Sequence, residues 1–337
     1  MKHLNYFVAA LSLCLGACTA RPPATAVLNT PTSPPSLTTF PALTPTITSS
    51  PTQTPAATTT QTLTATTTQT LTPSPTPLPS KVVIISIDGL RPDALFQTSA
   101  PNFLTLAQSG AYSWQAQTIF PPVTLPSHAS MLCGCPVATH GLTWNDYRPN
   151  AGTITVPTIF SVAHAAGRRT VMVVSKEKFA HLNTPGDVDS YTFALAGDQD
   201  VADQAIAQAQ VGFDVMFVHF PNMDYFGHLY GWMSDRYLNA LTRTDEAVGR
   251  LLAALPAQTT VIVTSDHGGL GFVHGANRPE DMIIPWIIAG PGVRVNYELT
   301  GLITTTQTGA TALYVLGLEL PAEMVDGPVV EAFESTK

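Results

Sequence analysis

The sequence predicts an α/β fold: a mostly parallel central sheet with helices on both faces, preceded by a disordered tether. Three observations carry that prediction. From residue 81 onward, short β-branched and aromatic runs alternate with helical patterns, the order expected of strands joined by crossover helices. The runs are apolar throughout, as strands covered on both faces are. The chain before residue 81 has a composition that cannot belong to the same core.

Residues 1–18, MKHLNYFVAALSLCLGAC, join a short positive start to an apolar run too brief to span a bilayer, which reads as a secretory signal. Leu15, Gly16, Ala17 and Cys18 resemble a bacterial lipobox, whose cysteine becomes the lipidated first residue of the mature protein. The expected location is therefore outside the cytoplasm, with the protein anchored through Cys18 to the cell envelope, at the bacterial surface or in the periplasm. Residues 19–80 hold 22 Thr, 13 Pro and 6 Ser with one charge, Arg21. Such a segment buries too little apolar surface to offset its ordering entropy, and it reads as a disordered linker. Residues 81–337 form the folded domain.

Within that domain, strands are predicted at KVVIISID from Lys81, TVMVVS from Thr170, FDVMFVHF from Phe213, TTVIVTSD from Thr259 and IPWIIAG from Ile284. Helices are predicted over Pro101–Gly110, Pro157–Ala166, Asp200–Gln210, Asp235–Leu255 and Thr308–Leu316. Leu238, Leu241, Val248, Leu251 and Leu252 lie along one side of the fourth, marking a packing helix.

All 23 acidic residues but only 13 of the 15 basic ones fall in residues 81–337, leaving a net charge of −10. No basic run argues for a nucleic-acid duplex as partner. Beyond the anchor, Cys133 and Cys135 are the remaining cysteines of the mature chain. A bridge across one intervening residue is sterically demanding, so they read as unbridged, small, partly buried residues.

The chemistry lies in MDYFGH and SDHGGLGFVH. Asp224 and His228 sit four apart, Asp266 and His267 are adjacent, and His274 follows. Carboxylate oxygen with imidazole nitrogen suits zinc and similar divalent ions. Five such ligands exceed the three of a catalytic zinc site and imply two ions, and hence phosphoryl chemistry. Asp88 ends the first strand, Asp224 follows the third, and Asp266 with His267 ends the fourth. Open parallel sheets bind ligands beyond the carboxyl ends of their strands. In FPPVTLPSHASML, Thr124 precedes Pro126 and is placed at a helix N-terminus, where the dipole favours an anion.

These motifs resemble the alkaline phosphatase superfamily, specifically its type I phosphodiesterase and nucleotide pyrophosphatase branch. They are IDGLRPD around Asp88, P-x-x-T-x-P-x-H around Thr124, THGLTWN ending at Asn145, D-x-x-x-H at Asp224 and His228, and SDHG at Asp266 and His267. The resemblance covers Lys81 to about Phe333. It implies that Asp224, His228 and His274 hold one divalent ion, and that Asp88, Thr124, Asp266 and His267 hold a second, with zinc the metal expected at both. It implies Thr124 as nucleophile in a two-step displacement through a phosphothreonine, and Asn145 as donor to a nonbridging phosphoryl oxygen. The substrate expected is a small phosphodiester or pyrophosphate.

His128 and His140 read as residues that orient loops, and His164, His181 and His219 as ordinary surface or core residues. Asp93 reads as a turn or cap residue, while Trp144, Tyr147, Tyr225, Tyr230 and Trp232 are candidates for a substrate pocket or simple packing. Two departures bear on substrate. Relatives that cleave nucleotides usually carry phenylalanine after the nucleophile, and often lysine before it; here Leu125 and Val123 flank Thr124, which speaks against base stacking. No motif-borne arginine lies near Thr124, which disfavours a phosphate monoesterase, and Cys133 and Cys135 lack the C-x-P-x-R pattern of sulfatases. A non-catalytic surface binding protein is the remaining alternative, opposed by the complete ligand set.

Overall fold

The computed structural model describes residues 81–334. The signal, the Cys18 anchor and the linker lie outside the described residues. Eight strands make one sheet: β1 (Lys81–Ile87), β2 (Ala111–Gln117), β3 (Thr170–Val174), β4 (Ser190–Phe193), β5 (Val215–Phe220), β6 (Thr259–Thr264), β7 (Ile283–Ala289) and β8 (Tyr297–Glu298). Their spatial order is β4-β3-β5-β1-β6-β7-β2-β8. The run from β4 through β6 is parallel, β7 is antiparallel to both β6 and β2, and β8 pairs parallel with β2.

The five predicted strands are β1, β3, β5, β6 and β7. All are apolar runs because both sheet faces are covered: Val82 and Ile84 enter one core cluster with Leu125, Met131, Phe217 and Trp286. Val83 and Ile85, on alternate positions, enter the other with Phe103, Tyr237, Leu241 and Leu251. The strands that periodicity passed over are β2, β4 and β8. β2 alternates buried and part-exposed residues, and β4 and β8 are short elements whose residues are at least partly exposed, so none carries an apolar run.

The five predicted helices form, at Pro101–Gln108, Ile159–Ala165, Asp198–Val211, Asp235–Ala254 and Thr306–Leu316. Thr158 starts the second with a capping box shared with Ser161. Ser234 caps the fourth by accepting from the Tyr237 amide, and Leu241, Val248 and Leu251 are its buried side, with Leu238 and Leu252 partly buried beside them. Two further helices matter for function: Thr124–Cys133, every residue of which is buried, and Asn222–Tyr230, which carries Asp224 and His228 on consecutive turns.

Cys133 and Cys135 are bonded to each other, which corrects the reading of two unbridged thiols. The reason is the intervening residue. Gly134 ends the helix in the left-handed conformation, φ 61°, and folds the chain back so that the two Cα atoms lie 5.3 Å apart.

One buried carboxylate ties the long helix to the sheet-flanking layer. Asp245 accepts from the Asn102 and Phe103 amides at 3.1 and 2.9 Å, and from Asn102 Nδ2 at 2.8 Å. It thus satisfies first-turn donors of another helix. Asp245→Ala leaves those groups buried and unpaired and is expected to cost about 2–3 kcal/mol in denaturant unfolding. A loss below about 0.5 kcal/mol would contradict this capping role.

Candidate metal centre

The adjacent parallel strands β3, β5, β1 and β6 point their carboxyl ends into one crevice. Asp88 follows β1, Asp224 and His228 follow β5, and Asp266, His267 and His274 follow β6. Asp88, Asp266 and His267 offer ligand atoms within 4.8 Å of one another, and so do Asp224, His267 and His274. His267 belongs to both groups, and its ring stacks on that of His274 with centroids 3.7 Å apart. His228 approaches from the solvent side, its Nε2 3.2 Å from Asp224 Oδ1.

Each carboxylate commits one oxygen to the protein and leaves the other bare. Asp266 Oδ1 accepts from the Gly89 and His267 amides at 3.1 and 3.0 Å. Asp88 Oδ2 accepts from His219 Nε2 at 2.7 Å and forms an ion pair with Lys176 at 2.6 Å, and Asp224 Oδ2 accepts from the same ammonium at 2.6 Å. Asp88 Oδ1, Asp224 Oδ1 and Asp266 Oδ2 are buried without a hydrogen-bond partner, and so is His267 Nε2.

The imidazoles follow the same rule. Nδ1 of His228, His267 and His274 lies 2.9, 2.8 and 2.9 Å from the carbonyl oxygens of Phe272, Gly268 and Pro122. A carbonyl only accepts, so Nδ1 carries the proton, and in the neutral ring Nε2 presents a lone pair. Those lone pairs face carboxylate oxygens: His267 Nε2 lies 3.4 Å from Asp88 Oδ1 and 3.3 Å from Asp266 Oδ2, and His274 Nε2 lies 3.5 Å from Asp224 Oδ1. Acceptors facing acceptors in a buried crevice fit a cation between them. The donor set, oxygen and imidazole nitrogen, suits a divalent ion of the zinc type.

Burial opposes charge throughout the site. It raises Asp266, and the Asp88 carboxylate raises it further, so this carboxyl stands well above its usual range. Burial would raise Asp88 too, but Lys176 and His219 outweigh it and hold that carboxyl well below. Burial and Asp88 push Asp224 upward, and Lys176 with His228 bring it below the carboxylate range. His274 is depressed to about 4 by burial and by His267.

The segment around Thr124 is stitched to this crevice. Thr124, 1% exposed, is the first residue of its helix. Thr118 and Ser127 donate to the Asp266 carbonyl at 2.5 and 2.9 Å, and His274 Nδ1 donates to the Pro122 carbonyl. His128 Nδ1 donates to the Thr124 carbonyl at 2.7 Å, and its Nε2 accepts from Ser86 at 2.8 Å; both its nitrogens are thus spent orienting loops. His140 is likewise spent on Ser130 and the Leu142 amide. Asn145 Oδ1 accepts from the Leu125 amide at 2.9 Å, and Leu125 itself is fully buried. Gly89 closes the floor at φ 75°, where an added Cβ would stand 2.9 Å from Asp224 Cα.

Of the other residues singled out, Asp93 pairs with Arg91 at 2.6 Å, His164 with Asp189 at 3.2 Å, and His181 with the Gly152 carbonyl at 2.6 Å. Trp232 is buried and donates to the Gly89 carbonyl at 2.9 Å. Tyr225 is exposed and helps line a cavity of about 520 Å³ bounded by Lys176, Asp224 and His228.

Three residues escaped the sequence reading. His219 is not an ordinary core residue: it donates to Asp88. Lys176 bridges Asp88 and Asp224, and the Lys178 ammonium lies 3.1 Å from Asn145 Oδ1, so cations do stand near the Thr124 segment. Both lysines follow β3, and the strand-end rule that picked out Asp88 would have found them.

The comparisons agree with this architecture. The structure superposes on murine ectonucleotide pyrophosphatase/phosphodiesterase 5 with a TM-score of 0.65 at 16% identity, covering 76% of this chain and 100% of that one. A 2-O GAG sulfatase superposes with a TM-score of 0.65 at 16% identity, over 77% and 75% of the two chains. The fold is that of the alkaline phosphatase superfamily. Within it, the sequence pattern of the type I phosphodiesterase / nucleotide pyrophosphatase family matches residues 82–278, and the chain belongs to that family. It is 26% identical to the catalytic subunit of human GPI ethanolamine phosphate transferase 2 over 76% of this chain and 28% of that protein. It is 26% identical to a bis(5'-adenosyl)-triphosphatase of Xenopus laevis over 56% of this chain and 47% of the relative. The chain thus spans less than half the length of each of these two relatives.

Asp266 and His228 both stand above their ordinary pKa values, His228 chiefly through the neighbouring Asp224 carboxylate. Each must lose its proton to ligate, so divalent-ion affinity is expected to rise with pH and fall in acid. Zinc affinity measured by chelator competition should therefore be weaker at about pH 5.5 than at about pH 7.5, with protons released on binding. A flat dependence would remove these two residues from the ligand set.

Proposed function

We propose that the protein hydrolyses phosphodiester or pyrophosphate bonds at a two-ion site, with Thr124 as nucleophile and a phosphothreonine intermediate. The observation that carries this reading is the set of buried, unpartnered atoms, Asp88 Oδ1, Asp224 Oδ1, Asp266 Oδ2 and His267 Nε2, in the crevice to which the Thr124 segment is tied. Family membership supports the reaction class.

Asp224, His228 and His274 would hold one divalent ion, and Asp88, Asp266 and His267 with Thr124 the other; His267 stands against both groups. When bound, the ions would stabilise the threonine alkoxide and the charge on the leaving oxygen. The chain's own residues do the positioning. Thr124 Oγ1 attacks phosphorus, the leaving alcohol or phosphate departs in line, and water then cleaves the phosphothreonine to restore the hydroxyl. The Asn145 side chain has its oxygen turned to the Leu125 amide, which leaves Nδ2 to donate to a nonbridging phosphoryl oxygen. The buried Leu125 argues against nucleobase stacking next to the nucleophile.

A phosphate monoesterase on the same scaffold is the second reading. It is favoured by Lys178, which puts a cation beside Asn145 where the sequence offered no arginine. The export and Cys18 lipid anchorage read from residues 1–18 complete the proposal, and Cys18→Ala is expected to abolish incorporation of labelled fatty acid into the full chain. Persistent labelling would relocate or remove the anchor.

The chemical test is Thr124→Ala in zinc-loaded protein, expected to lower kcat on bis(p-nitrophenyl) phosphate by about a thousandfold or more while zinc stoichiometry stays above half of the wild-type value. Near-normal turnover would sink the nucleophile assignment. Dominant turnover of p-nitrophenyl phosphate by the wild type would select the monoesterase reading instead.

A further inference from the structure

Exposed apolar side chains gather where the metal crevice opens. Phe120, Tyr225, Leu229, Leu270, Phe272 and Val273 are each between 44% and 60% exposed. Their positions tie them to the candidate ligands Asp224, His228 and His274. Tyr225 and Leu229 directly follow Asp224 and His228 on one helix, and Val273 directly precedes His274. The Phe272 carbonyl lies 2.9 Å from His228 Nδ1, and the carbonyl of Pro122, two residues after Phe120, lies 2.9 Å from His274 Nδ1. The Leu270 amide donates to the Val273 carbonyl at 3.0 Å, and the Gly271 carbonyl between them accepts from the Trp232 amide at 2.7 Å. An added Cβ at Gly231 would stand 3.7 Å from the Phe272 ring. Three segments distant in sequence thus form one rim.

The rim is also uncharged. Residues 118–127, 225–234 and 268–277 contain no Asp, Glu, Lys or Arg, in a domain that is otherwise strongly acidic. A cluster of bare apolar side chains around a cleft marks a surface that meets something apolar. The rest of the chain points to the occupant. Cys18 is read above as lipid-bearing, and the 62 residues from 19 to 80 separate it from the domain. Lys81 enters at the start of β1, at the edge of the sheet opposite the one that carries the metal ligands. A short connection would hold the mouth of the crevice away from the bilayer. This 62-residue connection spans at most about 200 Å at full extension, enough for the domain to turn its mouth back to the surface that holds its anchor.

We propose that this rim seats the mouth of the crevice on a lipid bilayer, and that the substrates are phosphodiesters carried at that surface, with an apolar tail in the lipid and the phosphoryl group in the crevice. This rests on the hydrolase and Cys18 readings above. It narrows the substrate class from small phosphodiesters in general to amphiphilic ones. An uncharged rim engages by burying apolar surface, so the seating depends on neither anionic lipid nor low salt.

The test places the zinc-loaded full chain on phosphatidylcholine vesicles and reads the rim directly. The tryptophan introduced by Phe272→Trp should be quenched by bromine-labelled acyl chains, beyond the quenching of the native protein. The one introduced by Val211→Trp should not, because Val211, 70% exposed, ends the helix that leads to the start of β5, at the opposite edge of the sheet. Quenching at both positions or at neither would overturn the proposal. So would a concentration-dependent dimer dissociated by Phe120→Ser or Leu270→Ser, because the rim would then belong to a second copy of the chain. Turnover gives an independent measure. Phe120→Ser and Leu270→Ser should lower the rate on p-nitrophenyl hexadecyl phosphate held in the vesicles by about tenfold, and leave the rate on p-nitrophenyl methyl phosphate in solution within about twofold. Equal effects on the two probes, or a requirement for anionic lipid, would count against the rim. Failure of the hydrolase reading is seen separately, as absence of p-nitrophenolate release from either probe by the wild type, and failure of the Cys18 reading as absence of fatty-acid labelling.

Discussion

The site is organised by an electrostatic constraint: buried acceptors aimed at one another. Asp88 Oδ1 and Asp266 Oδ2 face His267 Nε2, and Asp224 Oδ1 faces the Nε2 atoms of His228 and His274. Nothing in the hydrogen bonding of the described residues satisfies the buried carboxylate oxygens or His267 Nε2. Every other polar contact in the crevice creates that condition. Backbone carbonyls fix the imidazole tautomers, and amides, His219 and Lys176 occupy the second oxygen of each carboxylate. Buried groups this costly persist where a ligand compensates them.

The sheet makes the constraint possible. Strands β3, β5, β1 and β6 are neighbours and parallel, so four loops distant in sequence end at one edge. The two core clusters hold those strands rigid on both faces, and the wholly buried helix beginning at Thr124 is pinned to the Asp266 and His274 loops. Rigid support matters because a site of this kind tolerates little drift in ligand position.

Lys176 deserves weight as a counter-charge. It bridges Asp88 and Asp224, carboxylates from different ligand groups, and holds both below the usual carboxyl range despite burial. Asp266, without such a contact, moves the other way. The crevice thus keeps two carboxylates ionised through the protein itself and leaves the third dependent on what binds.

The sequence by itself determined the fold class, the five apolar strands, the five main helices and the candidate ligand residues. These are properties of local pattern: apolar runs read as doubly covered strands, and Asp and His at strand ends carry their chemistry in their side chains. β2, β4 and β8 stayed illegible because their partly exposed residues owe their conformation to pairing with neighbours. Tertiary structure alone decided the rest. It made His219 a partner of Asp88 across 131 residues and brought Lys178 to Asn145 across 33. It also closed Cys133 on Cys135 around a left-handed Gly134. A lone histidine or lysine has no periodicity to mark it, and its role comes from the group that folding places opposite.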